Sequence, residues 1–196
     1  MTRRMLLPLG LLVVLVVGCL PSALQDATPD AAVLGVPAGD RVPGAADGLH
    51  DRLAAADTGF DFVPASTLRF LEVRSGLVGS RVRPGAARIA RTNGAELAIT
   101  IGPATLTREL ETAGRLHRER VVMRLEVAIV RSSDATELAR LAGPRLVGEK
   151  TIDDEALPPL DDDPLVASLR EESLDALAPR VARELRTLAI SGSSGE

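Results

Sequence analysis

The chain has 196 residues, 45% of them hydrophobic and 26% charged, with a net charge of −4 at neutral pH. This apolar fraction is enough for one packed core, so the composition excludes a wholly disordered chain, and the acidic balance disfavours binding to phosphate backbones. With one Cys, two His and neither Trp nor Tyr, the sequence also excludes an internal disulfide, a Cys-rich zinc cluster, a three-histidine metal site and aromatic platforms for nucleic-acid bases.

The N-terminus predicts a secretory signal peptide that ends in a lipidation site. Two arginines precede thirteen uncharged, mostly apolar residues, 5–17, which are too few to span a membrane. Residues 16–19 then resemble the bacterial lipobox, which implies cleavage between Gly18 and Cys19 and acylation of the Cys19 thiol. An ordinary signal peptide with an incidental Cys, or an uncleaved anchor, is the alternative.

These patterns divide the chain into four parts. We predict a signal peptide at 1–18, a lipidated N-terminus and tether at 19–30, one domain at 31–190, and a disordered tail at 191–196. The tether prediction rests on small residues, Pro and polar side chains. The residue after Cys19 is Leu20 and not Asp. In bacteria with two membranes, this resembles lipoproteins that are sent to the outer membrane. The expected location is therefore the cell envelope, at the periplasmic face.

The first half of the domain alternates short strands and helices. An apolar run at 31–36 predicts a strand, and apolar residues spaced by three and four over 46–56 predict a helix. Residues 60–63 predict a second strand, and Ser66 or Thr67 can cap a helix through Leu71. A small helix is expected from Pro84 to Asn93, where Asn-Gly ends it.

The second half predicts mostly strands before a final helix. Residues 97–101 form a strand that Gly102 and Pro103 bend or end, with 105–107 as its edge continuation. Residues 120–131 alternate cleanly, which indicates one buried and one wet face and favours antiparallel pairing. Residues 137–142 would return as a hairpin partner, and 146–152 would extend it.

The C-terminal third predicts an acidic loop at 153–163, a helix from Pro164, and a kink at Pro179. The predicted order of strands and helices along the chain indicates an α/β (α+β) domain. We expect a mixed sheet of about five strands with an antiparallel hairpin, helices packed on the sheet, and a long C-terminal helix.

Three segments resemble a known family. Residues 32–36 match its opening apolar strand, 93–102 its glycine-alanine segment followed by a strand, and 121–130 with 133–138 its long strand and hairpin. The layout is similar to the TolB N-terminal-like fold of the curli secretion channel lipoprotein, FlgO-like flagellar proteins and the lipoprotein activator of penicillin-binding proteins. The resemblance implies an anchored envelope module that binds a protein or assembles. The chain shows no pair of long alternating stretches, which a secretion channel needs.

Few residues in the sequence indicate a catalytic or metal-binding site. His50 beside Asp51 is expected at the surface or at a core boundary, and His117 in a loop or at a strand edge. Six carboxylates between Asp153 and Asp163 lack the spacing of a calcium loop. No nucleotide, zinc or kinase motif is present, so we predict no metal, no cofactor and no nucleic-acid partner.

A basic stretch supplies the candidate partner-binding residues. They are Arg115, Arg118, Arg120 and Arg124. Guanidinium groups bind carboxylates through paired hydrogen bonds. We therefore expect a non-enzymatic, membrane-anchored module that binds or scaffolds an unidentified envelope protein. The alternatives are a homo-oligomeric secretion or assembly ring, and a His-dependent hydrolase.

Overall fold

The computed structural model describes residues 29–35, 42–63, 82–113, 116–152 and 157–193. The predicted signal peptide, Cys19, most of the tether, the helix expected from Ser66 or Thr67, and Arg115 lie outside these residues. The described elements, in chain order, are β1 (Asp30–Gly35), α1 (Ala45–Ala54), β2 (Asp61–Phe62), α2 (Val82–Thr92), β3 (Leu97–Ala113), β4 (Leu116–Arg131), β5 (Glu137–Ala142), β6 (Leu146–Ile152), a 3-10 turn (Leu160–Asp162) and α3 (Pro164–Ser193).

The six strands form one mixed sheet in the order β2-β1-β3-β4, with both β5 and β6 on the far side of β4. β1 runs parallel to β2 and to β3, whereas β4 is antiparallel to all of its neighbours. β5 and β6 follow one another along β4, so the six strands occupy five positions. The mixed α/β class, the antiparallel hairpin and the continuation from β5 into β6 are confirmed.

The β3–β4 hairpin is much longer than the sequence predicts. β3 continues past Gly102 and Pro103 to Ala113, and β4 begins at Leu116, so the chain does contain a pair of long strands. The pairing register shifts between Pro103 and Thr105. This bulge reverses which residues point inward and hides the alternation. The expectation that no pair of long alternating stretches exists is therefore wrong.

One face of the sheet carries the main core. α1 and α3 pack there against the apolar side of β4, which is buried at every predicted position: Val121, Met123, Leu125, Val127 and Ile129. α2 packs on the opposite face, where its alanines cover Ala32, Ala98 and Val130. The prediction of a wet outer face for β4 is thus wrong for its C-terminal half and right only for its N-terminal half.

α3 is a single helix of 30 residues with Pro179 inside it. Its predicted stripe is buried from Leu174 through Leu185, so packing holds the helix on the sheet on both sides of the proline. The helix ends at Ser193, and residues 191–193, predicted as tail, are helical. None of the described helices is long and apolar enough to cross a membrane.

Beyond the end of β1, three of the described strands continue the sheet. We call this part the extension; it comprises residues 105–113, 116–124 and 146–152. β1 pairs with β3 only from Leu97 to Ile101, so the chain enters the sheet at the end opposite the β3–β4 turn. At about 3.3 Å per residue, β3 spans roughly 50 Å from that entry to the turn.

Candidate partner-binding surface

The predicted arginines lie on the outer face of the extension. Arg118, Arg120 and Arg124 are separated by even numbers of residues on β4, so their side chains project from the same side of the sheet. Arg118 and Arg124 are exposed and Arg120 is half-buried. The structure therefore brings three of the four candidates together, and the fourth, Arg115, lies outside the described residues.

The two arginines nearest the turn share one carboxylate on β6. Arg118 Nη1 lies 3.5 Å from Glu149 Oε2, and Arg120 Nε lies 3.7 Å from Glu149 Oε1. In the pairing register, Arg118 stands opposite Glu111 of β3 and Arg120 opposite Glu109. The two guanidinium groups thus lie between two carboxylates on β3 and one carboxylate on β6.

Threonines and valines surround these charges. Val122 is 7% exposed and Val147 is 45% exposed, and they are paired neighbours on β4 and β6. Arg124 Nε donates a hydrogen bond to the Gly143 carbonyl oxygen at 3.2 Å, across the gap between β5 and β6. The exposed residues of this face are Thr105, Thr107, Glu109, Glu111, Arg118, Arg124, Val147, Glu149 and Thr151. An exposed face that mixes apolar and charged groups can bind a protein surface.

The reverse side of the extension holds a buried ion cluster that the sequence did not reveal. Glu119 and Asp163 side chains are fully buried, and Arg108 and Lys150 approach both of them. Arg108 Nη2 lies 2.8 Å from Glu119 and 2.6 Å from Asp163. Lys150 Nζ lies 2.9 Å from Glu119 and 2.6 Å from Asp163. Two cations and two carboxylates therefore balance, which offsets much of their desolvation cost.

Asp163 also caps α3. Its Oδ1 accepts the backbone N–H of Leu165 at 2.9 Å. Burial by itself would raise the pKa of Asp163, but hydrogen bonds from Lys150 and from the Leu165 N–H outweigh it and lower the pKa to about 2. The cluster therefore connects three strands of the extension to the start of the C-terminal helix.

The lowered pKa of Asp163 predicts a pH-dependent contribution to stability. The folded chain holds this carboxyl ionised below its ordinary pKa of 3.8. The stabilisation, about 2 kcal/mol, is thus complete above that value and is lost as the pH falls towards 2. We expect the stability difference between the chain and Asp163→Asn, from urea unfolding, to stay level from about pH 7 to pH 5 and to shrink from about pH 4 to pH 2. A level difference over the whole range would contradict this.

One signal could have revealed the cluster. Glu119 is separated by even numbers of residues from the buried Val121 and Met123 on β4. Its charged side chain must therefore point to the same side of the sheet, into the core. Its cationic partners come from β3 and β6, far away in sequence, and only the tertiary fold shows that they meet it.

A shallow cleft of about 240 Å³ opens beside α2 on the outer face. Arg83 and Arg140 line it together with Glu126. Arg140 Nη2 lies 2.7 Å from Glu137 Oε2, and Arg83 Nη2 lies 2.9 Å from the same oxygen. These guanidinium groups are satisfied by carboxylates of the chain itself, so the cleft offers no free charge to a ligand.

The two histidines lie in different elements. His50, on α1, is half-buried at a boundary position as predicted; its Nδ1 is 3.3 Å from Asp51 Oδ1, and its ring meets Phe62 edge-on. His117, expected in a loop or at a strand edge, is instead in the central strand β4 and 8% exposed, with Nδ1 3.1 Å from Thr112 Oγ1. His117 is an odd-numbered residue of β4, and the odd-numbered side chains of this strand point to the core, which explains its burial. Within the described part of the chain, neither histidine has a serine partner.

The acidic loop is described from residue 157 onwards. Asp161 and Asp162 are exposed in the 3-10 turn, whereas Asp163 belongs to the ion cluster. Among the residues that the structure describes, no group of three or more His, Cys, Asp or Glu side chains could hold a metal ion.

The fold and this surface can now be compared with known proteins. No protein-family model and no curated protein matches the sequence. Solved structures do match. The chain is similar to bacterial lipoproteins. Lipoprotein GNA1162 from Neisseria meningitidis is 14% identical, with 79% of this chain and 99% of that one covered and a TM-score of 0.43.

Two further solved structures are similar over a comparable length. The PelC dodecamer from Paraburkholderia phytofirmans is 13% identical, with 76% of this chain and 85% of that chain covered and a TM-score of 0.39. The LpoB C-terminal domain from Salmonella enterica is 14% identical, covering 66% and 87% respectively, with a TM-score of 0.35.

Proposed function

We propose that this chain is a non-catalytic, lipid-anchored envelope protein that binds another envelope protein through the outer face of the extension. The observation that carries this proposal is the row formed by the exposed Arg118 and Arg124 and the half-buried Arg120, which β4 presents on the outer face of the extension. Main-chain pairing fixes the spacing of these side chains before any partner arrives, which lowers the entropic cost of binding.

The position of the predicted anchor supports this role. The lipid would be attached at Cys19, and ten residues separate Cys19 from the start of β1 at Asp30. A chain of that length reaches at most about 35 Å. Because β1 begins at the end of the sheet opposite the β3–β4 turn, the extension would project away from the membrane, where an envelope partner is accessible.

Charge reversal on the platform tests partner binding. We expect Arg118→Glu combined with Arg124→Glu to reduce crosslinked partner recovered from membranes by about tenfold or more, because both guanidinium groups are exposed and contact the partner directly. The control is Arg88→Glu combined with Arg183→Glu, two exposed arginines on helices. Equal recovery from both double variants would exclude this surface.

The anchor is tested separately. We expect radiolabelled palmitate to enter the chain and Cys19→Ser to abolish that labelling, because the thiol is the acceptor. Membrane association should fall with it, since two or three acyl chains contribute about 0.8 kcal/mol for each buried methylene. Cys19→Ser carrying as much label as the unaltered chain would remove the anchor from the proposal.

A ring subunit is the second candidate. The extension has an unpaired backbone edge on each side among the described strands, and such edges can pair with another copy of the chain. Native mass spectrometry of the detergent-extracted protein distinguishes a ring from a monomer.

A further inference from the structure

Partner binding through the arginine face leaves unused one edge of β3, with which no described strand pairs beyond Ile101. β1 pairs with β3 only as far as Ile101. From Thr105 to Thr112, no described strand pairs with β3 on the side away from β4. Within this eight-residue stretch, every second residue directs its backbone N–H and C=O groups to the edge away from β4, and eight residues lies within the usual range of strand lengths.

The side chains along this edge alternate in a way that specifies what could pair with it. Leu106 and Leu110 face inward and are half-buried, whereas Glu109 and Glu111 face outward and are exposed. An added strand would thus place alternate residues beside the leucines and beside the glutamates. The positive charge of the inward Arg108 is neutralised by ion pairs with Glu119 and Asp163, so it does not repel a basic strand.

The two glutamates are the carboxylates of this surface that form no ion pair with a described residue. Among the described residues neither Glu109 nor Glu111 forms an ion pair, because Arg118 and Arg120 are directed to Glu149 on β6. A basic side chain on an added strand would lie directly beside each carboxylate. Charge complementarity therefore favours lysine or arginine at every second position of the incoming segment.

We infer that the β3 edge binds an extended segment of a partner protein in which basic and apolar residues alternate. Main-chain hydrogen bonds supply the affinity of such strand addition, and the side chains beside Glu109, Glu111, Leu106 and Leu110 supply its specificity. This inference rests on the proposed function, because it names the part of the partner that the extension recognises.

Two synthetic peptides of eight residues test it with the full chain in detergent. One alternates valine with lysine, and the other alternates valine with glutamate. Fluorescence anisotropy should show at least tenfold tighter binding of the lysine peptide. Amide hydrogen exchange should show new protection, when that peptide is bound, at those amides of residues 105–112 that point away from β4. Glu109→Lys combined with Glu111→Lys should reverse the preference, whereas Glu96→Lys combined with Glu172→Lys, two exposed glutamates elsewhere, should leave it unchanged.

Several results would overturn the inference. Equal binding of both peptides would contradict the inferred preference for basic residues. An equal loss of lysine-peptide binding in the two glutamate-to-lysine double variants would show general electrostatic attraction. Slow exchange in the free monomer of those amides that point away from β4 would show that the chain itself covers the edge, and slow exchange of the same amides only in a dimer would assign the edge to a second copy. The assay needs no envelope partner. Loss of crosslinking in the arginine variants with no peptide binding would therefore reject this inference and leave the proposed function standing.

Discussion

Glu119→Gln is expected to lower the free energy of unfolding by about 3 kcal/mol, because it leaves the buried cluster with two cations and one carboxylate. The Glu119 side chain is fully buried, and it lies within 3 Å of both Arg108 and Lys150. Glutamine has nearly the same size, so the loss reports the missing charge and not a cavity. Urea unfolding followed by circular dichroism measures the change.

Glu149→Gln is the matched control for this prediction. Glu149 lies next to Lys150 on β6 and forms ion pairs too, but its side chain is 46% exposed. Water screens those pairs, so the expected loss is within about 0.5 kcal/mol. If Glu119→Gln cost no more than Glu149→Gln, the cluster would not hold the extension to α3.

Leu174→Ala is expected to cost about 3 kcal/mol, through lost burial and the cavity that remains. Leu174 is fully buried on α3 and faces α1, where Gly48 allows the two helices to approach closely. A methyl group added at Gly48 would lie 2.7 Å from Leu174 Cδ1. The leucine therefore fills the space that the glycine leaves.

A double-mutant cycle tests that fit. Gly48→Ala in the unaltered chain should destabilise, because the added methyl group meets Leu174. In the Leu174→Ala background the same change should stabilise by up to about 1 kcal/mol, since alanine favours the helix and fills part of the cavity. Additive effects in thermal unfolding would show that the two positions do not touch.

The elements predicted best are those with an unbroken local pattern. β4 alternates without interruption over its predicted part, and the apolar stripe of α3 keeps its spacing past Pro179, so both were placed correctly. The predicted β3 bends or ends at Gly102 and Pro103, with 105–107 as an edge continuation, and so falls short of Ala113; the bulge after Pro103 moves inward positions from odd to even numbers. When inward positions change from odd to even numbers, the apolar alternation is interrupted, and a prediction based on strict alternation ends the strand there.

The candidate surface was predicted in part for the same reason. The shared parity of Arg118, Arg120 and Arg124 follows from β4 alone, so their common face was predictable. That Glu149 pairs with two of them depends on the register between β4 and β6. The burial of His117 depends on which side of β4 meets the core at its N-terminal end.

The sequence by itself determined the α/β class, the mixed sheet, the final helix and the arginine row, because periodicity and turn residues act over a few neighbouring positions. Only the tertiary structure decided where the described sheet narrows to three strands, which edge of β3 no described strand pairs with, and how Arg108, Glu119, Lys150 and Asp163 meet. Those features depend on contacts between residues far apart in the chain. Chain geometry and charge balance select such contacts only when all the elements pack together.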